Sequence, residues 1–176
     1  MQRKGYEETG LQEILAEAGL PKGSFYHHFG SKEEFGKEVI GRYAAREAER
    51  CECVLSEGKG TPIARLRRYF KELSRVFGPG GSINGCLVGR LSLDGATRSE
   101  LLRSQLALTF KGWQGAIERT LQDALDAGEL TVEQSPSSLA AFLINGWEGA
   151  LLRAQADQTD SALRNFVQIA FDWLLV

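Results

Sequence analysis

Residues 10–35 read GLQEILAEAGLPKGSFYHHFGSKEEF, and this stretch decides the fold. Leu11, Ile14, Leu15 and Ala18 recur at helical spacing and give one apolar face. Thr9 occupies the position of an N-cap, and Gly19 the position where a helix stops. Pro21 suits the first turn of a second helix, because its missing N–H costs nothing there. That helix is predicted over 22–29 and is closed by Gly30. Ser31 and Glu34 form a capping box, so a third helix starts at once. Two short helices joined by a glycine-containing turn are a helix-turn-helix, whose second helix enters the major groove.

The second helix carries a suitable surface. Between Ala18 and Lys32 there are two lysines, two histidines, a tyrosine and two serines, with no acid to repel phosphate. Lys22 and Ser24 lie near its N-terminal end, where free N–H groups and the dipole favour anions. Gly23 permits close backbone approach, Tyr26 and His27 reach outward, and Phe25 and Phe29 read as the buried side. Lys32 is a cation in the first turn of the third helix, which a DNA phosphate would explain. An ordinary helical hairpin with a polar face would share this spacing.

The run from Gly5 to Phe35 closely resembles the DNA-binding domain of TetR-family transcriptional regulators. The resemblance rests on Gly5-Tyr6, Thr9, Ile14, Ala18-Gly19, Lys22-Gly23-Ser24, Tyr26, Phe29 and Ser31-Lys32-Glu33. It implies that Thr9, Lys22, Gly23, Ser24, Tyr26, His27 and Lys32 meet DNA, mostly at phosphates. The family places a whole helix before the Gly-Tyr pair; here only Met1 to Lys4 precede Gly5, so either the start is set too late or that helix is missing.

Bulk properties bound the remaining choices. The chain has 176 residues, 43% hydrophobic and 25% charged, with a formal net charge of −2. Residues 1–50 hold 8 Lys/Arg against 9 Asp/Glu, so DNA affinity must come from a local patch and from pairing two copies. No secretory leader and no bilayer-length apolar run is evident, and three cysteines are an odd number. A cytoplasmic protein with reduced thiols is expected. No metal-ligand spacing occurs: Cys51 and Cys53 point in different directions on a helix, and no histidine lies near them. No cofactor or metal is expected.

The third helix is predicted to run from about Lys32 to Leu55, linking the reading end to the remainder. Pro62 opens the next, with Ile63, Leu66, Tyr69, Phe70, Leu73 and Phe77 on one face. Arg65, Arg67, Arg68 and Lys71 cover the other, and a solvated face explains them better than a nucleic-acid surface. A loop follows at 78–81. Cys86 then lies near the start of a short helix, where the N-terminus and Arg90 one turn on favour a thiolate. A small buried core residue is the bland alternative. The segment INGCLVGRLS resembles the TetR branch that represses detoxifying reductases and responds to electrophiles such as N-ethylmaleimide. In that branch the matching cysteine is the sensor.

A long helix is predicted over 97–127, another over 136–157 and a last over 161–175. Phe110, Trp113, Trp147, Phe70 and Phe77 either line an apolar effector pocket or are simply core. Glu148 or Arg153 is either a polar anchor in such a pocket or the solvent edge. The apolar terminal helices favour a homodimer through 136–157 and 161–175, which the resemblance also implies, with a palindromic operator mirroring the two-fold axis.

The sequence therefore describes an all-α protein with a helix-turn-helix domain over 1–45 and a helical effector-binding and dimerisation domain over 46–176. The expected function is transcriptional regulation, with a repressor released from double-stranded DNA by a small apolar or electrophilic effector. No catalytic residue is expected. The competitors are a dimeric helical module without DNA binding and a thiol enzyme built on Cys86, which lacks a histidine base outside the reading domain.

Overall fold

The computed structural model describes residues 1–21, 23–78 and 85–175. Every regular element among them is helical: α1 (Leu11–Glu17), α2 (Phe25–His28), α3 (Lys32–Cys51), α4 (Pro62–Phe77), α5 (Leu87–Asp94), α6 (Glu100–Asp126), α7 (Pro136–Asp157) and α8 (Ser161–Ile169). Wider π-helical turns continue α3 over Glu52–Ser56 and α8 over Ala170–Leu174. The chain divides into two compact units. The first holds Met1–Ala45 together with Leu87–Thr109, and the second holds Arg46–Cys86 and Phe110–Val176. The stretch 87–109, expected in the C-terminal domain, thus packs with the N-terminal residues.

In the first unit, α1 ends as its glycine demands. Gly19 has φ +65°, a left-handed value that glycine adopts without strain. Gly19 N–H then donates to Ala16 O at 3.1 Å and Leu20 N–H to Leu15 O at 2.9 Å, closing the last turn. The start of α1 differs from expectation. Its N-cap is Gly10, without a side-chain bond, because the Thr9 hydroxyl turns back to donate to Gly5 O at 2.7 Å.

The reading helix is shorter than 22–29. Pro21 O accepts from both Ser24 N–H at 3.0 Å and the Ser24 hydroxyl at 2.9 Å, so a separate turn precedes Phe25. Phe29 is extended and ends the helix. Lys22 lies outside the described residues. Four residues do not hold a helix in water on their own. Here Phe25 is buried with Phe29 and Phe35, their ring centroids 5.0–5.7 Å apart. The third helix is capped at Ser31, whose Oγ accepts from Glu34 N–H at 3.1 Å as a capping box requires, while the Glu34 carboxylate reaches one residue further back and accepts from Gly30 N–H at 2.9 Å.

In the second unit, Thr61 and Ser135 cap α4 and α7, each followed by proline at the first helical position. Helix α4 buries Leu66, Tyr69, Phe70, Leu73 and Phe77, the face its spacing predicts. Its basic side is not the freely solvated row expected. Arg65, half-buried, pairs with Asp123; Arg67 pairs with Asp172 at 2.7 Å; and Arg68 donates to Lys59 O at 3.0 Å. Acidic and carbonyl partners from the same unit take these cations, which leaves little of them for phosphate. Helices α7 and α8 pack together and line a groove whose walls include Phe142, Gly146, Ala150, Phe166, Ile169 and Leu174.

Candidate nucleic-acid interface and thiol site

Burying Phe25 turns the other side of α2 outward. Tyr26 is 65% exposed, and His27 and His28 are exposed beside it. Gly23 is exposed, Ser24 is half-buried at the start of the helix, and no side chain would crowd a substituent at Gly23. Gly23, Ser24, Tyr26 and His27 therefore lie on one short, outward-facing stretch whose own sequence carries no acid. Two members of the expected contact set stand elsewhere. Thr9 is buried and its hydroxyl is engaged by Gly5 O, so it is a structural residue in this conformation rather than an outward donor. Lys32 is half-buried, with Nζ 4.4 Å from the Tyr6 ring centroid and donating to Glu7 O at 3.3 Å. A cation–π contact and a carbonyl, not only an external phosphate, thus account for its place.

Tyr6 itself is buried, with Gly36 and Gly95 beside its ring and Cβ. Gly5 adopts φ +86°, and any side chain there would overlap the Asp94 carboxylate. Asp94 Oδ2 accepts from Tyr6 N–H at 2.7 Å and from Glu7 N–H at 3.3 Å. The sequence offered no local signal for Asp94, because its partners lie 88 and 87 residues away.

The thiol site belongs to the second unit. Cys86 is 6% exposed and immediately precedes α5. Its thiol donates to the carboxylate of Glu148 on α7. Burial pushes the Glu148 carboxyl up from 4.5 to about 7, and the bond from Cys86 offsets part of that rise. Gly85 has φ +69° and lies against the Gln155 amide, which leaves no space for a side chain. Of the two polar residues singled out on α7, Glu148 faces the thiol. Arg153 is exposed and pairs with Asp157 at 2.6 Å, one turn along.

The two other cysteines differ from Cys86. Cys53 is exposed, and Cys51 is buried 3.4 Å from the Tyr69 hydroxyl, with its thiol pushed up by burial. Among the described residues no group of three His, Cys, Asp or Glu side chains is arranged to hold a metal.

The aromatic residues do not form one wall. Trp147 is buried against Phe70 and Phe166 at 5.5 and 5.6 Å, inside packed core. Phe77 is buried as well. Phe110 and Trp113 are half-buried and meet edge to face at 5.6 Å. The spacing that suggested a pocket lining is, for Phe70, Phe77 and Trp147, the spacing of a core stripe.

Residues 1–39 match the family described as Bacterial regulatory proteins, tetR family, and residues 62–170 match the Tetracyclin repressor-like, C-terminal domain. The chain belongs to the TetR family. It is 31% identical to the HTH-type transcriptional repressor DhaR of Mycobacterium sp. (strain GP1), over 98% of this chain and 85% of that one. It is 37% identical to the HTH-type transcriptional repressor NemR of Escherichia coli K12, over 72% of this chain and 61% of that one. The crystal structure of reduced E. coli NemR superposes with a TM-score of 0.90 at 32% identity, covering 97% of this chain and 88% of that one. A regulatory protein TetR from Rhodobacter sphaeroides gives a TM-score of 0.90 at 33% identity, covering 99% and 92%. This TetR-family chain is a DNA-binding transcriptional regulator and not an enzyme. Regulators of the family bind operator DNA as dimers and respond to ligands.

Proposed function

We propose that this chain is a cytoplasmic, homodimeric repressor that reads a palindromic operator and leaves it when an electrophile modifies Cys86. The observation that carries the effector half is the buried thiol of Cys86 hydrogen-bonded to the Glu148 carboxylate. A carboxylate is a proton acceptor, so it supplies what a buried thiol needs to react as thiolate. The electrophile class follows: an activated alkene forms an S–C bond at one carbon and receives the thiol proton, by way of Glu148, at the other. The likeness to a repressor crystallised in a form described as reduced agrees with a thiol sensor.

DNA contact is assigned to Lys22, Gly23, Ser24, Tyr26 and His27, with Lys32 supporting the surface from behind. The exposed, acid-free side of α2 supports this assignment. Dimerisation is assigned to 136–157 and 161–175. Along them Phe142, Leu152, Ile169 and Trp173 are between 50% and 74% exposed, a large apolar area for one copy. Phe110 and Trp113 are the aromatic residues left to meet an effector, since Trp147 is enclosed in the core.

Fluorescence anisotropy with a duplex from upstream of the chain's own coding sequence tests this reading. Salt-sensitive binding to one palindrome, lost on treatment with N-ethylmaleimide and retained by Cys86→Ser after the same treatment, is the expected result. Release of Cys86→Ser by the reagent would remove Cys86 from the role, and turnover of the electrophile beyond one equivalent would contradict a sensor.

A further inference from the structure

We propose that Asp94 is a positioning residue for DNA binding: its carboxylate clamps the Tyr6 and Glu7 backbone and thereby sets the reading helices of its own unit. The N-terminal segment needs such a clamp. Residues 2–8 are successive turns rather than a helix, with Gly5 N–H donating to Met1 O at 2.7 Å. A single oxygen of Asp94 takes both the Tyr6 and the Glu7 N–H groups, at 2.7 and 3.3 Å. Gly5, at φ +86°, has its Cα hydrogen where a side chain would strike that carboxylate. Contacts from this turn reach α1 and α3. Gly5 O holds the Thr9 hydroxyl just ahead of α1, and Glu7 O accepts from Lys32 at the start of α3. The Tyr6 ring lies beneath the Lys32 ammonium and beside Gly36 of α3. Arg98, four residues past Asp94, pairs with the Glu7 carboxylate at 3.4 Å. Helices α1 and α3 flank the reading helix, so the clamp fixes the frame that carries it.

Nothing local explains an aspartate at position 94. It is the last residue of α5, where the helix dipole disfavours an anion. Its Oδ1 is buried without a hydrogen-bond partner, a cost that a purely helical role would avoid. The grip of Oδ2 on the N-terminal turn is what offsets it. A link to the effector follows only if the Cys86 reading holds. Cys86 directly precedes Leu87, the first residue of α5, in the sequence.

The test uses the full chain and the same upstream duplex, with affinity measured across a salt series. Asp94→Ala is expected to bind about tenfold more weakly, the loss of a charge-assisted pair of hydrogen bonds. Its dependence of log Kd on log salt is expected to flatten by about one phosphate contact or more per misplaced reading helix. Asp94→Asn keeps an acceptor for Tyr6 N–H and is expected to stay within about threefold of wild type. A partly unfolded variant would lower the active fraction but keep the wild-type salt slope, so a weakened Asp94→Ala with unchanged slope overturns the proposal, as does unchanged affinity. Should Asp94→Ala fail to fold, Gly5→Ala strains the same clamp from the other side and must show the same flattened slope. N-ethylmaleimide release, measured separately in wild type, reports on Cys86 alone, so either idea can fail without the other.

Discussion

Glu148 is a carboxyl group that burial beside the Cys86 thiol shifts upward. Burial raises it to about 7, and its bond from the Cys86 thiol holds it from rising further. Below pH 7 the folded protein therefore keeps this carboxyl protonated, and it cannot take the thiol proton. Above pH 7 it is ionised and can. Alkylation of Cys86 by N-ethylmaleimide should climb with pH up to about 7 and then level, because the pair has lost one proton by then. In Glu148→Gln the rate at pH 7 should be lower and should go on climbing above pH 7 instead of levelling. Stopped-flow alkylation from about pH 5.5 to about pH 9, on either side of the Glu148 value, checks this; identical profiles for the two proteins would remove Glu148 as the base. The same shift has a stability consequence of known sign. The folded state binds this proton more tightly than the unfolded chain, so its contribution to stability falls as pH rises from about 4.5 to about 7 and is constant above. Melting curves of Glu148→Gln should lack that decline.

At the scale of elements, the reading helix depends on what lies under it and at its ends. Phe25→Ala should destabilise the first unit by about 3–5 kcal/mol, the cost of removing a buried aromatic ring, and should abolish DNA binding along with the fold of that unit. Tyr26→Ala, on the exposed side, should leave the melting temperature unchanged while weakening operator binding. Ser31→Ala should cost about 1 kcal/mol by freeing the Glu34 N–H that Ser31 caps. A joint series of denaturant melts and DNA titrations separates these three. The capping box at Ser31, the glycine stop at Gly19 and the proline-led starts at Pro62 and Pro136 were all legible in the sequence, because their partners lie within a few residues. Thr9 was misread for a related reason. Its hydroxyl has two partners within reach, the N–H groups ahead and Gly5 O behind, and the left-handed Gly5 settles the choice. The arginines of α4 and the carboxylate of Asp94 were not legible, since Asp123, Asp172 and Tyr6 reach them only through the tertiary fold. Spacing marked Phe70, Phe77 and Trp147 as apolar, but only packing distinguishes a core ring from one that lines a pocket.

At the scale of the whole molecule, the formal charge of −2 rules out strong general attraction to DNA, so specific affinity must come from two reading surfaces acting together. Pairing two copies makes the second contact intramolecular and multiplies the affinity of the first. The proposed dimer contact is the apolar surface on α7, α8 and the turn after α8. Ile169 is 50% exposed and lines the groove with Phe142, Gly146 and Ala150, while Trp173 is 74% exposed on the following turn. Because Ile169 is half in solvent in a single copy, Ile169→Arg should cost the isolated fold little. Across a two-fold interface, where each copy contributes the same surface, it places two cations in one apolar contact. The variant should sediment as a monomer with an unchanged helical circular dichroism spectrum and should lose at least about a hundredfold in operator affinity, the lower end of what bivalent engagement contributes. Half-site DNA should still bind the variant and the wild type alike, because one reading helix is all that a half-site engages. A variant that remains dimeric, or a monomer that keeps full operator affinity, would detach the α7–α8 surface from DNA recognition and place the dimer contact elsewhere in the chain.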